Sequence, residues 1–365
     1  MKNPRLFLLA LLLLPAACQR QAEETRPTIP LVREILGDRT DPRAQMLRDW
    51  TPQPIADIAL IGTEFTCDRL SEALMVRDRQ DNVDARWTPD GLPDFAGETF
   101  VCLEEATPYA DALARDGEEA LRGQTVLRVL AALDTVVHIS PYDLEGLSVK
   151  PSSKMIVLAD PYLSEYGGFD VDTLLRSAGC PVPVLSPIDK MIEQAFEKGA
   201  RGDLSVGIIC DPRFESAGIY ERIFARKAAE RGSKGAGCVV VGMERRDSVL
   251  YHFLDRYQAA GHTRPLDVIL VDNLSLDMDR IKGELAQIVS VMNESSMTLG
   301  RLFSRNFFFV DAFETVSEQC YYYLREKNLF THNIAKPQVT VYRPVRKPET
   351  EDGSIILIPG SYVQN

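Results

Sequence analysis

Residues Lys154 to Tyr220 read KMIVLADPYLSEYGGFDVDTLLRSAGCPVPVLSPIDKMIEQAFEKGARGDLSVGIICDPRFESAGIY, and this stretch decides the fold. Met155–Ala159 (MIVLA) is a short apolar run that stops at Asp160-Pro161. Pro181–Leu185 (PVPVL) stops at Ser186-Pro187, and Leu204–Cys210 (LSVGIIC) stops at Asp211-Pro212. Helical segments fill the gaps. Short apolar runs alternating with helices predict a parallel sheet covered by helices. In such sheets ligands sit at the carboxyl ends of the strands, which directs attention to Asp160, Ser186 and Asp211.

The flanking sequence extends the pattern both ways. Upstream, Asp57–Ile61 (DIALI) ends at Gly62-Thr63-Glu64, and Thr99–Leu103 (TFVCL) ends at Glu104-Glu105. Residues 106–133 then read as one helical stretch, with Leu121, Val126, Val129 and Leu130 on one face. Downstream, Cys238–Gly242 (CVVVG), Leu266–Val271 (LDVILV) and Asn306–Val310 (NFFFV) read as strands. The last two end at Asp272-Asn273 and Asp311. Gln338–Tyr342 (QVTVY) is a late strand, and Ile355–Ile358 (IILI) offers an edge strand in the tail 344–365.

The chain has 365 residues, 45% of them hydrophobic, enough for two domains rather than one. A formal net charge of -12 makes nucleic acid or an anionic membrane surface a poor partner. Lys2 and Arg5 precede an apolar run, Leu6–Leu14, that is too short to span a bilayer. Pro15-Ala16-Ala17-Cys18 follows, which resembles a bacterial lipoprotein signal. That resemblance implies a signal peptide over 1–17, lipid on Cys18, and a protein anchored at the cell envelope, facing the periplasm or the cell surface. An ordinary secretory signal is the other reading, and both export the chain. Residues 18–54 read as a tether and an N-terminal helix.

Beyond Cys18 the six cysteines form no paired framework and no C-x-x-C motif. Export permits disulfides, but buried free thiols are expected for most of them. Four histidines without ligand spacing give no zinc site, and no metal or cofactor is expected.

Five segments together resemble the aspartate/glutamate racemase superfamily, over residues 55–343. GDLSVGIICDPRFESAGIY is similar to the family's GRIGVIGT…SGAY, with Gly207, Gly218 and Tyr220 matching. GCPVPVLSPIDKMIEQAF is similar to DIPVIGVIEPGARAA, and VDAFETVSEQCYYYL to the late IDSAEAT segment. EEATPYAD matches a turn through Pro108-Tyr109, and QVTVYRP stands at the terminal strand. The resemblance implies a cofactor-independent enzyme of two similar α/β lobes with parallel sheets flanked by helices. Lobe 1 would take residues 55–185 with a return of 306–343, and lobe 2 residues 186–305.

The departures bear on chemistry. The family's two catalytic cysteines follow strands, and here Asp160 and Asp272 stand in their places. Leu274 replaces the family's histidine after the second cysteine, and Gly62 replaces an aspartate. Removing an α-proton from one face of a substrate and returning one to the other needs two groups whose pKa values lie near the working pH. A thiol, at about 8.5, is readily tuned there; a carboxylate, at about 3.9, needs strong desolvation. The leading expectation is therefore a racemase-like ligand-binding or accessory protein. An isomerase or racemase using Asp160 and Asp272 as its acid/base pair is the first alternative. A type I periplasmic solute-binding lipoprotein, in which the chain crosses between the lobes three times, is the second.

The expected ligand-binding residues are Thr63, Glu64, Glu104, Tyr109, Tyr162, Asp211 and Asn273. Their acidic balance suits a small polar or cationic molecule. Aspartate followed by proline is also an ordinary helix start, so capping competes with function at Asp160 and Asp211.

Overall fold

The computed structural model describes residues 26–142, 148–199, 203–233, 235–244, 247–290, 298–331, 333–347 and 355–361. The expected signal peptide and Cys18 lie outside the described residues.

The chain begins with two short helices, α1 (Pro30–Gly37) and α2 (Pro42–Asp49), where the sequence predicts a tether and one helix. Then come β1 (Ile58–Thr63), α3 (Glu64–Val76), β2 (Thr99–Glu105), α4 (Tyr109–Asp116) and α5 (Glu118–Leu133). A small hairpin, β3 (Val136–Val137) and β4 (Ser148–Val149), leads to β5 (Met155–Leu158), α6 (Pro161–Ala178), β6 (Val184–Leu185) and α7 (Pro187–Lys198). The next part holds β7 (Ser205–Cys210), α8 (Pro212–Glu215), α9 (Ile219–Glu230), β8 (Gly237–Gly242), α10 (Val249–Ala259), β9 (Leu266–Asp272), α11 (Met278–Ser290) and β10 (Phe303–Asp311). The chain closes with α12 (Ala312–Glu326), β11 (Gln338–Arg346) and β12 (Ile355–Pro359).

Two sheets result. The first has the order β12-β11-β2-β1-β5-β6, parallel except for β12, and the second β10-β9-β7-β8, parallel throughout. The protein is therefore α/β, with two parallel sheets flanked by helices. The central strands β1, β5 and β7 are buried along nearly their whole length, which is why they read as unbroken apolar runs.

The structure corrects three expectations. The strand at 303–311 pairs with β9 in the second sheet, so the return to lobe 1 starts at α12 rather than at residue 306. An apolar strand pattern declares a strand without naming its partner. Residues 106–133 form two helices, not one, because Gly117 turns the corner at φ 82°, a left-handed value that suits glycine. Lastly, the chain passes between the sheets twice, after β6 and after β10. That departs from the three crossings of the type I solute-binding plan.

Helix caps join strands to helices at the ends where ligands would bind. Thr63 caps α3 through a reciprocal box with Thr66. Gly62 allows this turn, since a Cβ there would lie 2.3 Å from the Thr66 hydroxyl. Asp160, Ser186, Asp211 and Asp311 accept backbone N–H groups at the starts of α6, α7, α8 and α12.

Candidate functional site

Between the sheets lies an open cleft. The first lobe supplies Phe65, Thr66, Arg69 and Leu70 from α3, with Ala159 and Pro161 from the end of β5. The second supplies Asp211, Phe214, Asp272, Asn273 and Leu274. Pro187 and Phe313, at the starts of α7 and α12, complete the wall.

Asp272 ends β9 half-buried, and its Oδ2 accepts the Tyr220 hydroxyl at 2.7 Å. Burial raises its pKa, the Tyr220 bond opposes the rise, and Asp211 adds to it. Asn273 performs the local turn: its Oδ1 accepts the Ser275 N–H at 3.0 Å, while its Nδ2 donates to the Met243 carbonyl at 2.7 Å. Asp277, not Asp272, caps the helix that follows, accepting the Asp279 and Arg280 N–H groups at 2.9 and 3.2 Å, which leaves the Asp272 carboxyl to the cleft and Tyr220.

Asp160 is 2% exposed and accepts the Tyr162 N–H at 3.0 Å. Capping alone would hold it ionised. Burial outweighs the cap and, with a smaller push from Asp272, lifts its pKa to about 7. Asp160 does not itself line the cleft wall, although Ala159 and Pro161 on either side of it do, and Asp272, from the other sheet, acts on it as a lesser charge. Asp311 joins them: burial raises it to about 6, and Asp272 contributes.

The remaining expected residues are dispersed. Tyr109 is buried behind β1, its hydroxyl donating to the Gly62 carbonyl at 3.3 Å, and burial raises its pKa. Tyr162 stacks on Tyr166 and leans on Phe214. Thr63 is spent on the α3 cap, and Glu64 is exposed in its first turn. Glu104 is buried under α3, where desolvation and the neighbouring Asp68 and Glu64 raise it to about 7. None of these five contributes to the cleft wall described above.

Sequence reasoning missed the basic and aromatic side of the site. Arg69 lies over Phe65, with its guanidinium carbon 4.7 Å from the ring centroid. Arg213, from the other lobe, lies over the same ring at 3.1 Å and also pairs with Asp211 at 3.0 Å. Phe65 thus bridges the lobes at the mouth through cation–π contacts. Behind it, Arg222 and Arg226 of α9 reach Glu165 of α6 at 2.9 and 2.8 Å. The signal was the spacing: Phe65 and Arg69 are four residues apart on the helix that leaves β1, hence on one face.

No protein-family model matches the chain, and no curated protein matches it. Solved structures do. Glutamate racemase from Francisella tularensis in complex with D-glutamate aligns over 82% of this chain and 91% of its own, at 13% identity and a TM-score of 0.47. The RacE1 isoform from Bacillus anthracis aligns over 79% and 88%, at 10% identity and 0.44. Arylmalonate decarboxylase aligns over 73% and 92%, at 14% and 0.34. These likenesses concern the path of the chain and assign no residue of the cleft.

Proposed function

We propose that this chain is a racemase-like small-molecule-binding protein whose ligand sits between the lobes and carries both signs of charge. The supporting observation is the composition of the cleft wall: Asp272 and Asp211 on one side, Arg69 on the other, with phenyl and prolyl surface between them. Carboxylates favour an ammonium or hydroxyl donor, and a guanidinium favours an acid group. The expectation of a small polar or cationic ligand is narrowed accordingly to a small zwitterion.

A second reading is proton transfer at a carbon next to the ligand's acid group, with Asp160 and Asp272 alternating as acid and base. Its support is the desolvation that brings Asp160 to about 7, which removes the objection that an aspartate is too weak a base.

One experiment separates the readings. Purified mature protein is titrated calorimetrically with a panel of amino acids, amines and carboxylates, and α-proton exchange is followed by NMR in deuterated water. Zwitterion binding without exchange fits the first reading. Exchange lost in both Asp160→Asn and Asp272→Asn fits the second. A panel that neither binds nor exchanges sinks both. We further propose lipid attachment at Cys18, on the apolar run and Ala16-Ala17 before it. Cys18→Ala should leave the membrane fraction; continued membrane association would refute it.

A further inference from the structure

Two thiols beneath the cleft are used by neither reading. Cys67 lies on α3, two residues from both Phe65 and Arg69 and so on the opposite side of the helix, and Cys102 lies on β2. Both are 0% exposed and belong to one apolar core with Leu60, Leu70 and Phe100. The Cys67 Sγ stands 3.6 Å from the Leu60 carbonyl and 3.9 Å from the Leu103 carbonyl, directly over the seam between β1 and β2. Leu60 is the register partner of Cys102 across that seam. The Cys102 side chain alternates with those of Val101 and Leu103 and so rises on the α3 face, together with Phe100 and Glu104. The two thiols therefore lie on the same face of that seam, and both are free. Cys180, Cys210 and Cys238 pack in a different core.

We propose that Cys67 and Cys102 are a disulfide pair that pins the cleft helix α3 to β2. Both sulfurs are buried in the folded chain, so the bond forms during folding, before α3 seats. The two thiols transfer two electrons and two protons to a disulfide-bearing oxidant. One S–S bond forms between Cys67 and Cys102, and the oxidant's S–S bond is reduced to two thiols. The covalent link would fix the helix that carries Phe65, Thr66 and Arg69, and with it the basic wall of the cleft. It closes a loop that includes the whole 77–98 connection, and loops of this length give a disulfide substantial leverage on the unfolded chain. Within the cell the bond rests on the export reading, since a reducing compartment would keep both thiols free; the pairing itself does not.

The test refolds reduced, denatured protein in a mixture of reduced and oxidised glutathione, then maps non-reduced peptides by mass spectrometry. The expected result is a peptide joining Cys67 to Cys102, with the thermal midpoint raised by about 5 °C over the same sample in reductant. Cys102→Ala should abolish the difference. If that variant fails to fold, the wild-type map decides alone. Both thiols free for alkylation after denaturation, or either joined to another cysteine, overturns the pairing. Because the refolding is done in vitro, its failure cannot be traced to a failure of export.

Discussion

Charge is buried at both ends of the strands, and in opposite ways. Where the first sheet begins, Asp57, Glu98 and Lys154 stand just before β1, β2 and β5. Lys154 is 0% exposed, pairs with Glu98 at 2.7 Å, and donates to the carbonyls of Pro54 and Leu329 at 2.7 and 2.8 Å. Glu98 accepts the Thr331 N–H at 2.8 Å, and Asp57 accepts the Ser153 hydroxyl. Opposite charges and backbone groups answer one another there. Burial raises Asp57 and Glu98, but Lys150 and Lys154 oppose the rise; where the strands end, burial raises Glu104, Asp160, Asp272 and Asp311, and neighbouring carboxylates add to it. Compensated charge is what a buried tie requires. Uncompensated charge of one sign at the strand ends costs stability and suits a site where a ligand or a proton completes the balance.

Three substitutions probe this contrast. The largest effect is expected at the compensated end. Lys154→Met leaves Glu98 buried without its cation and should destabilise the fold by roughly 3–5 kcal/mol in denaturant unfolding. A loss below about 1 kcal/mol would show that the tie is dispensable.

Next comes Asp160→Asn at the uncompensated end. With a folded pKa of about 7 against an unfolded value of about 3.9, the native state keeps a proton that the unfolded chain has released. Stability should therefore fall as pH rises through that window, by up to about 1.4 kcal/mol per pH unit. Asparagine can still cap α6, so the variant should flatten this part of the profile. A wild-type slope in the variant would contradict the placement of Asp160.

The smallest effect is electrostatic coupling. Asp272→Asn removes a negative neighbour, which favours the ionised form of Asp160 and should lower its apparent pKa below about 7 in a carbon-13 titration. An unmoved titration would mean that the two carboxyls do not sense one another.

Much of the fold was legible in the sequence because parallel strands buried on both faces leave continuous apolar runs. MIVLA, LSVGIIC and LDVILV became β5, β7 and β9. Partner choice was not legible: NFFFV could join either sheet, and only packing placed it beside β9. PVPVL shrank to Val184–Leu185, with Pro181 and Pro183 outside the strand, as residues lacking an N–H donor tend to be. At the site, the positions of Asp160 and Asp272 followed from strand ends. Their protonation did not, because a cap and a buried carboxyl look alike in sequence. Arg69 escaped notice because an arginine in a helix reads as solvated surface until the opposite wall is known.

The attachment of the N-terminal segment has a mechanical consequence. Arg122 holds Asp170 at 2.7 Å and also donates to the Pro27 carbonyl at 2.7 Å, while Asp170 accepts the Ile29 N–H at 3.2 Å. Arg26 reaches the Glu165 carbonyl at 3.0 Å. A pull on the chain ahead of residue 26 is therefore borne first by the α5–α6 pair, through a buried ionic knot, before any of it reaches a strand. Tension on that end of the chain would load two helices of the first lobe and leave the sheet, and the carboxyls at its ends, in place.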